Sequence, residues 1–209
     1  MTSPQERRPF VWRDGPGSPP LLMLHGTGGD ENDLLELATR LRPDSPVLSP
    51  RGTVLEAGAP RFFRRLREGV FDEDDLSRQA DELAKFVTEI GTEHGVPAGR
   101  FVAVGFSNGA NIASAMMFQR PEILSGAVLI AAMVPFRRLS FDADLTGKWV
   151  AISNGRRDPM IPAEHTSQLA QLFRDAGAEV HLFGHDGGHG IDPAQLAAIG
   201  EAIDRPSTR

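Results

Sequence analysis

Three residues far apart in the chain could together carry out nucleophilic acyl transfer: Ser107, Asp158 and His189. Ser107 lies in Gly105-Phe106-Ser107-Asn108-Gly109, a Gly-x-Ser-x-Gly pentapeptide. A serine hydroxyl is a weak nucleophile until a base removes its proton. His189, in Gly187-Gly188-His189-Gly190, can supply that base, because glycines on both sides leave its imidazole free to reach across to another loop. Asp158, in Gly155-Arg156-Arg157-Asp158-Pro159, can hold the ring in the correct tautomer and stabilise the imidazolium that forms. His25, His94, His165 and His181 fit structural or solvated roles better, and His185 is the nearest rival base. Asp186 and Asp192 are too close to His189 in sequence to approach it from a neighbouring strand.

Acyl transfer also needs donors for the negative oxygen of the tetrahedral intermediate. One backbone N–H should come from Asn108, directly after the nucleophile, and the other from Thr27 in His25-Gly26-Thr27-Gly28-Gly29. In that loop His25 reads as a buttress rather than a catalyst. The loop has neither the spacing of a dinucleotide fingerprint nor a phosphate-binding lysine. His185, Asp186, His189 and Asp192 could approach a metal ion, but Gly187 and Gly188 break the helical spacing that ligands at 185 and 189 would need. No metal and no cofactor is expected.

These groups need a scaffold, and the hydrophobic pattern predicts one. Short apolar runs at 21–25, 46–49, 101–105, 127–132, 149–153 and 179–184 read as strands, with 10–12 as a further edge strand. Several are apolar throughout, as in a parallel sheet covered on both faces. Helical periodicity fills the intervals. Asp72 caps a run carrying Leu76, Ala80, Leu83, Val87 and Ile90, and Asp30 caps one carrying Leu34, Ala38 and Leu41. Pro162 opens a helix that Gly177 closes, Asp192-Pro193 opens another, and residues 110–118 follow Ser107 as a third. Strand and helix alternating in this way predict an α/β fold with a mostly parallel sheet of about seven strands. Ser107 then sits on a strand-to-helix turn, its hydroxyl projected above the sheet.

One long stretch, residues 51–70, reads as irregular and holds five arginines beside Phe62 and Phe63. Phe62, Phe63 and Met160 are candidate apolar walls for a substrate, and Arg64 or Arg61 a candidate partner for its carboxylate or phosphate. The bulk composition bounds the rest. A chain of 209 residues, 40% hydrophobic and 24% charged, suits a single domain over residues 1–209 with one substantial core. The formal net charge of -6 opposes binding to nucleic acid or an anionic membrane. With no cysteine, disulfides and thiolate chemistry are excluded. No apolar leader follows Arg7 and Arg8, and no run approaches the roughly 20 residues of a membrane span. The expected setting is the cytoplasm, without stable membrane association.

On these motifs, together with Asp158-Pro159-Met160-Ile161-Pro162, the chain resembles the small carboxylesterase/phospholipase family of the α/β-hydrolases, the group that includes acyl-protein thioesterases. The likeness runs over nearly the whole chain. Arg61-Phe62-Phe63-Arg64-Arg65 further resembles a bacterial branch of that family, described as predicted esterases. The resemblance implies an α/β-hydrolase fold without a cap domain, a Ser–Asp–His triad, no metal and frequent homodimers, and the expected activity is that of a serine carboxylesterase on small or short-chain esters. A thioesterase or lysophospholipase activity, or a binding protein on a hydrolase scaffold, are the alternatives. Two departures stand out. Thioesterase members carry a more apolar loop over the acyl channel than residues 51–68 provide. Asn108 stands where many relatives have glutamine, and since the oxyanion needs only its backbone, the expectation is a reshaped pocket.

Overall fold

The computed structural model describes residues 7–137 and 142–204; residues 1–6, at the end read above as carrying no leader, lie outside them. Among the described residues eleven strands and five α-helices follow one another: β1 (Phe10–Arg13), β2 (Leu21–Leu24), α1 (Leu35–Leu41), β3 (Val47–Pro50), β4 (Val54–Glu56), β5 (Ala59–Arg61), β6 (Arg65–Arg67), β7 (Val70–Phe71), α2 (Glu73–Glu93), β8 (Phe101–Phe106), α3 (Asn108–Gln119), β9 (Leu124–Ile130), β10 (Trp149–Ser153), α4 (Ala163–Asp175), β11 (Glu179–Leu182) and α5 (Leu196–Ile203). Seven strands form one sheet in the order β1-β3-β2-β8-β9-β10-β11. All its pairings are parallel except β1 with β3.

The apolar runs are buried because strand alternation feeds two cores. Leu22, Leu24, Ala103, Leu129 and Ile152 point to one face, where they meet α2, α3 and α4. Leu21, Met23, Val104, Val128 and Ala151 point to the other, against α1 and α5. A large apolar side chain buried in this way contributes roughly 1.5–3 kcal/mol. Helix α3 lies under the centre of the sheet edge with every residue from Asn108 to Phe118 buried. Its position fixes where the turn before it emerges. Asp72 caps α2 by accepting from the Asp75 N–H, and Asp192 caps a short 3-10 turn at Pro193–Gln195 by accepting from Ala194.

Three expectations need correction. Asp30 does not cap α1, which starts at Leu35 with Leu34 at its cap position. The Asp30 carboxylate instead accepts from the Asn32 N–H at 2.7 Å, a local turn that competes with helix initiation. β9 spans Leu124–Ile130 rather than 127–132, because Ala131 leaves the strand at φ +54°. The stretch 51–70 is not irregular: β4 pairs with β5, and β6 with β7, as two small antiparallel hairpins. Ala57 and Gly58, both at positive φ, make the tight turn of the first.

Candidate active site

Ser107 is the single residue between β8 and α3, held at φ 51°, ψ −111°. Non-glycine residues seldom adopt this conformation, and here the surroundings enforce it. The Ser107 N–H donates to the Ile130 carbonyl at 2.8 Å. A Cβ on Gly105 would stand 2.5 Å from the Gly109 carbonyl, and one on Gly109 would stand 2.0 Å from the Leu24 carbonyl. The two glycines of the pentapeptide are therefore fixed by backbone crossing backbone.

The structure brings Ser107, His189 and Asp158 together from the ends of β8, β11 and β10. His189 Nε2 lies 2.9 Å from Ser107 Oγ, and His189 Nδ1 lies 2.7 Å from Asp158 Oδ2. A carboxylate oxygen can only accept, so Nδ1 carries the proton and Nε2 is left as the acceptor for the serine hydroxyl. The other Asp158 oxygen, Oδ1, accepts from the Met160 N–H at 2.8 Å and more loosely from Ile161. With its side chain fully buried, Asp158 is satisfied on both oxygens. The rival groups are engaged elsewhere. His185 Nδ1 accepts from the Gly187 N–H, Asp186 pairs with Arg156, and Asp192 caps its short helix. Among the described residues no group of three His, Asp or Glu side chains is arranged to hold a metal ion.

Thr27 and Asn108 line the same cleft as Ser107, His189 and Met160. Neither the Thr27 nor the Asn108 N–H donates to a protein acceptor among the described residues, so both are available to an oxyanion. The loop bearing Thr27 is braced by His25, whose buried ring donates through Nδ1 to the Gly26 carbonyl at 2.6 Å and accepts at Nε2 from the Gly52 N–H at 2.9 Å. That pair of bonds requires a neutral ring, and burial pulls its pKa below the usual histidine value. Gly28 N–H donates to Pro60, Arg61 Nη1 donates to Thr27 Oγ1 at 2.6 Å, and the Phe62 N–H donates to Asn108 Oδ1 at 2.7 Å. The segment 60–62 thus holds both oxyanion candidates at once. Sequence reasoning had given Asn108 only a backbone role. Its side chain carries a structural bond that glutamine, one methylene longer, would make from a different place.

The substrate-binding expectations fare differently. Phe62 and Phe63 are 1% and 0% exposed and belong to the core, so neither is a wall of the cleft. Phe62 packs on the His25 ring and Phe63 edge-on against Phe71, which anchors an otherwise basic segment. Arg64 pairs with Asp72 and Asp75 and does not line the cleft; Arg61 and Arg65 do. Met160 lines it, partly exposed. Asn111 was missed. One helical turn after Ser107, it accepts from the Met133 N–H at 2.8 Å and holds the cleft's far wall; its i+4 spacing from the nucleophile was the available signal. The cleft at Ser107 is small, about 40 Å³. Past Gly69, Phe71 and Met133 it meets a groove of about 700 Å³ that does not contain the serine.

Comparison with known proteins bears on the fold and the family. Residues 12–206 match the family model described as Phospholipase/Carboxylesterase. MhqD of Bacillus subtilis (strain 168), which bears a hydrolase name, is 45% identical over 179 residues, covering 86% of this chain and 89% of its own. A carboxylesterase from Bacillus cereus superposes with a TM-score of 0.92 at 41% identity, over 96% of this chain and 95% of its own. One from Mesorhizobium loti gives 0.86 at 28%, over 92% and 91%.

Proposed function

The chain belongs to the phospholipase/carboxylesterase family of α/β-hydrolases, and from that premise we propose that it is a serine carboxylesterase cleaving small or short-chain esters through an acyl-enzyme. The observation that carries the proposal is the unbroken relay from Ser107 Oγ through His189 to Asp158, at 2.9 and 2.7 Å. Ser107 attacks the ester carbonyl while His189 Nε2 takes its proton, and Asp158 steadies the resulting imidazolium. The Thr27 and Asn108 N–H groups, with the positive end of α3 behind Asn108, stabilise the oxyanion; donors of this kind are worth about 10²–10³ each in rate. His189 then protonates the departing alcohol, and water releases the acid by the same route.

The basic lining of the cleft, Arg61 and Arg65, suits a small polar acyl group better than a long apolar one, which puts esterase ahead of lysophospholipase or long-chain thioesterase activity. No helix among the described residues is long and apolar enough to cross a membrane. A cytoplasmic setting, a small-molecule ester as the partner and a homodimer complete the reading, with no metal, cofactor or nucleic acid required.

The test is a fluorophosphonate probe together with p-nitrophenyl acetate, butyrate and octanoate, with Ser107→Ala and His189→Ala alongside. Labelling at Ser107 and turnover falling from acetate to octanoate are expected, both lost in Ser107→Ala. Folded protein that is neither labelled nor active would leave a binding protein on a hydrolase scaffold as the better account.

A further inference from the structure

The side chains around Ser107 are unevenly matched. Their acceptors are consumed internally. Asn108 Oδ1 takes the Phe62 N–H, Asn111 Oδ1 takes the Met133 N–H, and Thr27 Oγ1 takes Arg61 Nη1. Several donors are left over. Asn108 Nδ2 is buried without a partner. Arg61, only 3% exposed, donates through Nε to the Phe63 carbonyl and through Nη1 to Thr27, and Nη1 also forms an ion pair with Glu56, which leaves Nη2 without a hydrogen bond among the described residues. Arg65 spends its Nε on the two Glu56 oxygens and keeps its terminal nitrogens. Both arginines line the cleft with Ser107. Two guanidiniums therefore share one carboxylate, Glu56, on this side of the cleft, while the site's other carboxylate, Asp158, is spent on His189. Burial, and then the repulsion of Arg65, hold the Arg61 pKa below the ordinary guanidinium value, a strain that a further anion would relieve. A site rich in unmatched donors, with two arginines sharing one carboxylate, is complementary to an acceptor-only, anionic group, and a carboxylate fits that description.

The topology says which half of the substrate bears it. In the sheet order β2-β8-β9-β10-β11, Thr27 follows β2 and Ser107 follows β8, while Asp158 and His189 follow β10 and β11. The leaving alcohol must depart on the His189 side, where it is protonated. Arg61, bonded to Thr27, stands on the oxyanion side, away from the departing alcohol, so a substrate group that it pairs belongs to the acyl half. Resting on the acyl-transfer reading above, we propose that the acyl group of the substrate carries a carboxylate of its own, so that the preferred substrates are half-esters of short dicarboxylic acids, with Arg61 pairing the free carboxylate and Arg65 adding to the field.

The experiment compares monomethyl succinate with methyl pentanoate, a near-isostere lacking the charge, on the full-length chain, with acid release followed by pH-stat and Ser107 labelling by fluorophosphonate in parallel. A kcat/KM preference of about tenfold or more for the half-ester is expected. In Arg61→Met that preference should shrink by about tenfold, with partial recovery in Arg61→Lys. Because Arg61 also braces Thr27, the ratio of the two esters is the readout rather than either rate, and the wild-type ratio decides the matter even if Arg61→Met does not fold. Labelled protein that hydrolyses methyl pentanoate as well as monomethyl succinate overturns the inference and leaves the acyl-transfer reading standing. Protein that is not labelled and hydrolyses neither ester overturns both.

Discussion

The two sides of the cleft are built to different standards. On the Thr27 side, residues 25–29 and 60–63 are largely buried and tied by at least five hydrogen bonds, with His25, Phe62 and Phe63 in or against the core. On the His189 side, Asp158 and His185 are buried, but Arg156, Arg157, Asp186, Gly187 and Gly188 are exposed, and the loop is joined to its neighbour by three backbone hydrogen bonds and by arginine contacts at the surface. The difference follows what each side must do. Backbone donors stabilise an oxyanion only if they need no reorganisation when charge appears, so Asn108 is buried and the exposed Thr27 is braced by the buried Arg61. The histidine must exchange protons with serine, alcohol and water, so it sits where water can reach it, with only its orienting carboxylate buried.

That contrast can be tested by perturbing the two sides separately. The largest effect is expected from His189→Ala: kcat/KM for p-nitrophenyl acetate should fall by about 10⁴ while the melting temperature moves by about 2 °C or less. A matching loss of stability would mean that the loop is more deeply integrated than its exposure implies. Two glycine substitutions give a paired test. A Cβ at Gly109 meets the Leu24 and His25 carbonyls at 2.0 and 2.6 Å, so Gly109→Ala should destabilise the fold by about 3 kcal/mol or more in a denaturant titration. A Cβ at Gly155 meets the Gly188 and Gly187 carbonyls at 2.3 and 2.4 Å, which an exposed loop can yield to. Gly155→Ala should therefore displace His189, reducing kcat by about 10² with a much smaller change in stability. If the two variants unfold equally, the comparison fails.

Smaller effects follow. Asn108→Ala strands the buried Phe62 N–H and should cost about 1–3 kcal/mol, with kcat reduced and KM little changed. His25 provides the pH test. Its folded pKa lies below the usual value of 6.5, so below that pH the unfolded chain binds the extra proton first. Stability should be level above about pH 6.5 and decline as pH falls from there toward the lower folded value, read as melting temperature from about pH 8 to about pH 5. His25→Asn should flatten that segment of the curve. Least of all, Arg156→Ala removes an ion pair whose side chains are 68% and 75% exposed, and the melting temperature should stay unchanged within error.

The parts of this arrangement that were legible beforehand are those that backbone geometry imposes. Gly105 and Gly109 could be read because nothing larger fits where strand, turn and helix cross. The central strands could be read because burial on both faces leaves uninterrupted apolar runs. The chain order of Ser107, Asp158 and His189 follows from strands whose ends share one edge. What could not be read was the direction of side chains in 51–70. Two hairpins of only two or three residues per strand decide that Arg61 and Arg65 face the cleft while Arg64 turns to Asp72 and Asp75, and a shift of one residue would have reversed the choice. Phe62 and Phe63 looked like a substrate wall because aromatic rings in a basic loop suit a pocket and a core equally well. Only the position of His25 and Phe71 beneath them decides for the core.

The backbone at Ser107 also bears on inheritance. At φ 51°, ψ −111°, glycine would be more comfortable than serine, so the fold and the reaction want different residues at one position. A duplicate copy of this chain, released from selection for turnover, would gain stability by mutating to glycine there, and nothing in the packing would oppose it. Retention of serine across lineages would then record continued use, and glycine at 107 in an otherwise intact copy would mark one that has been retired.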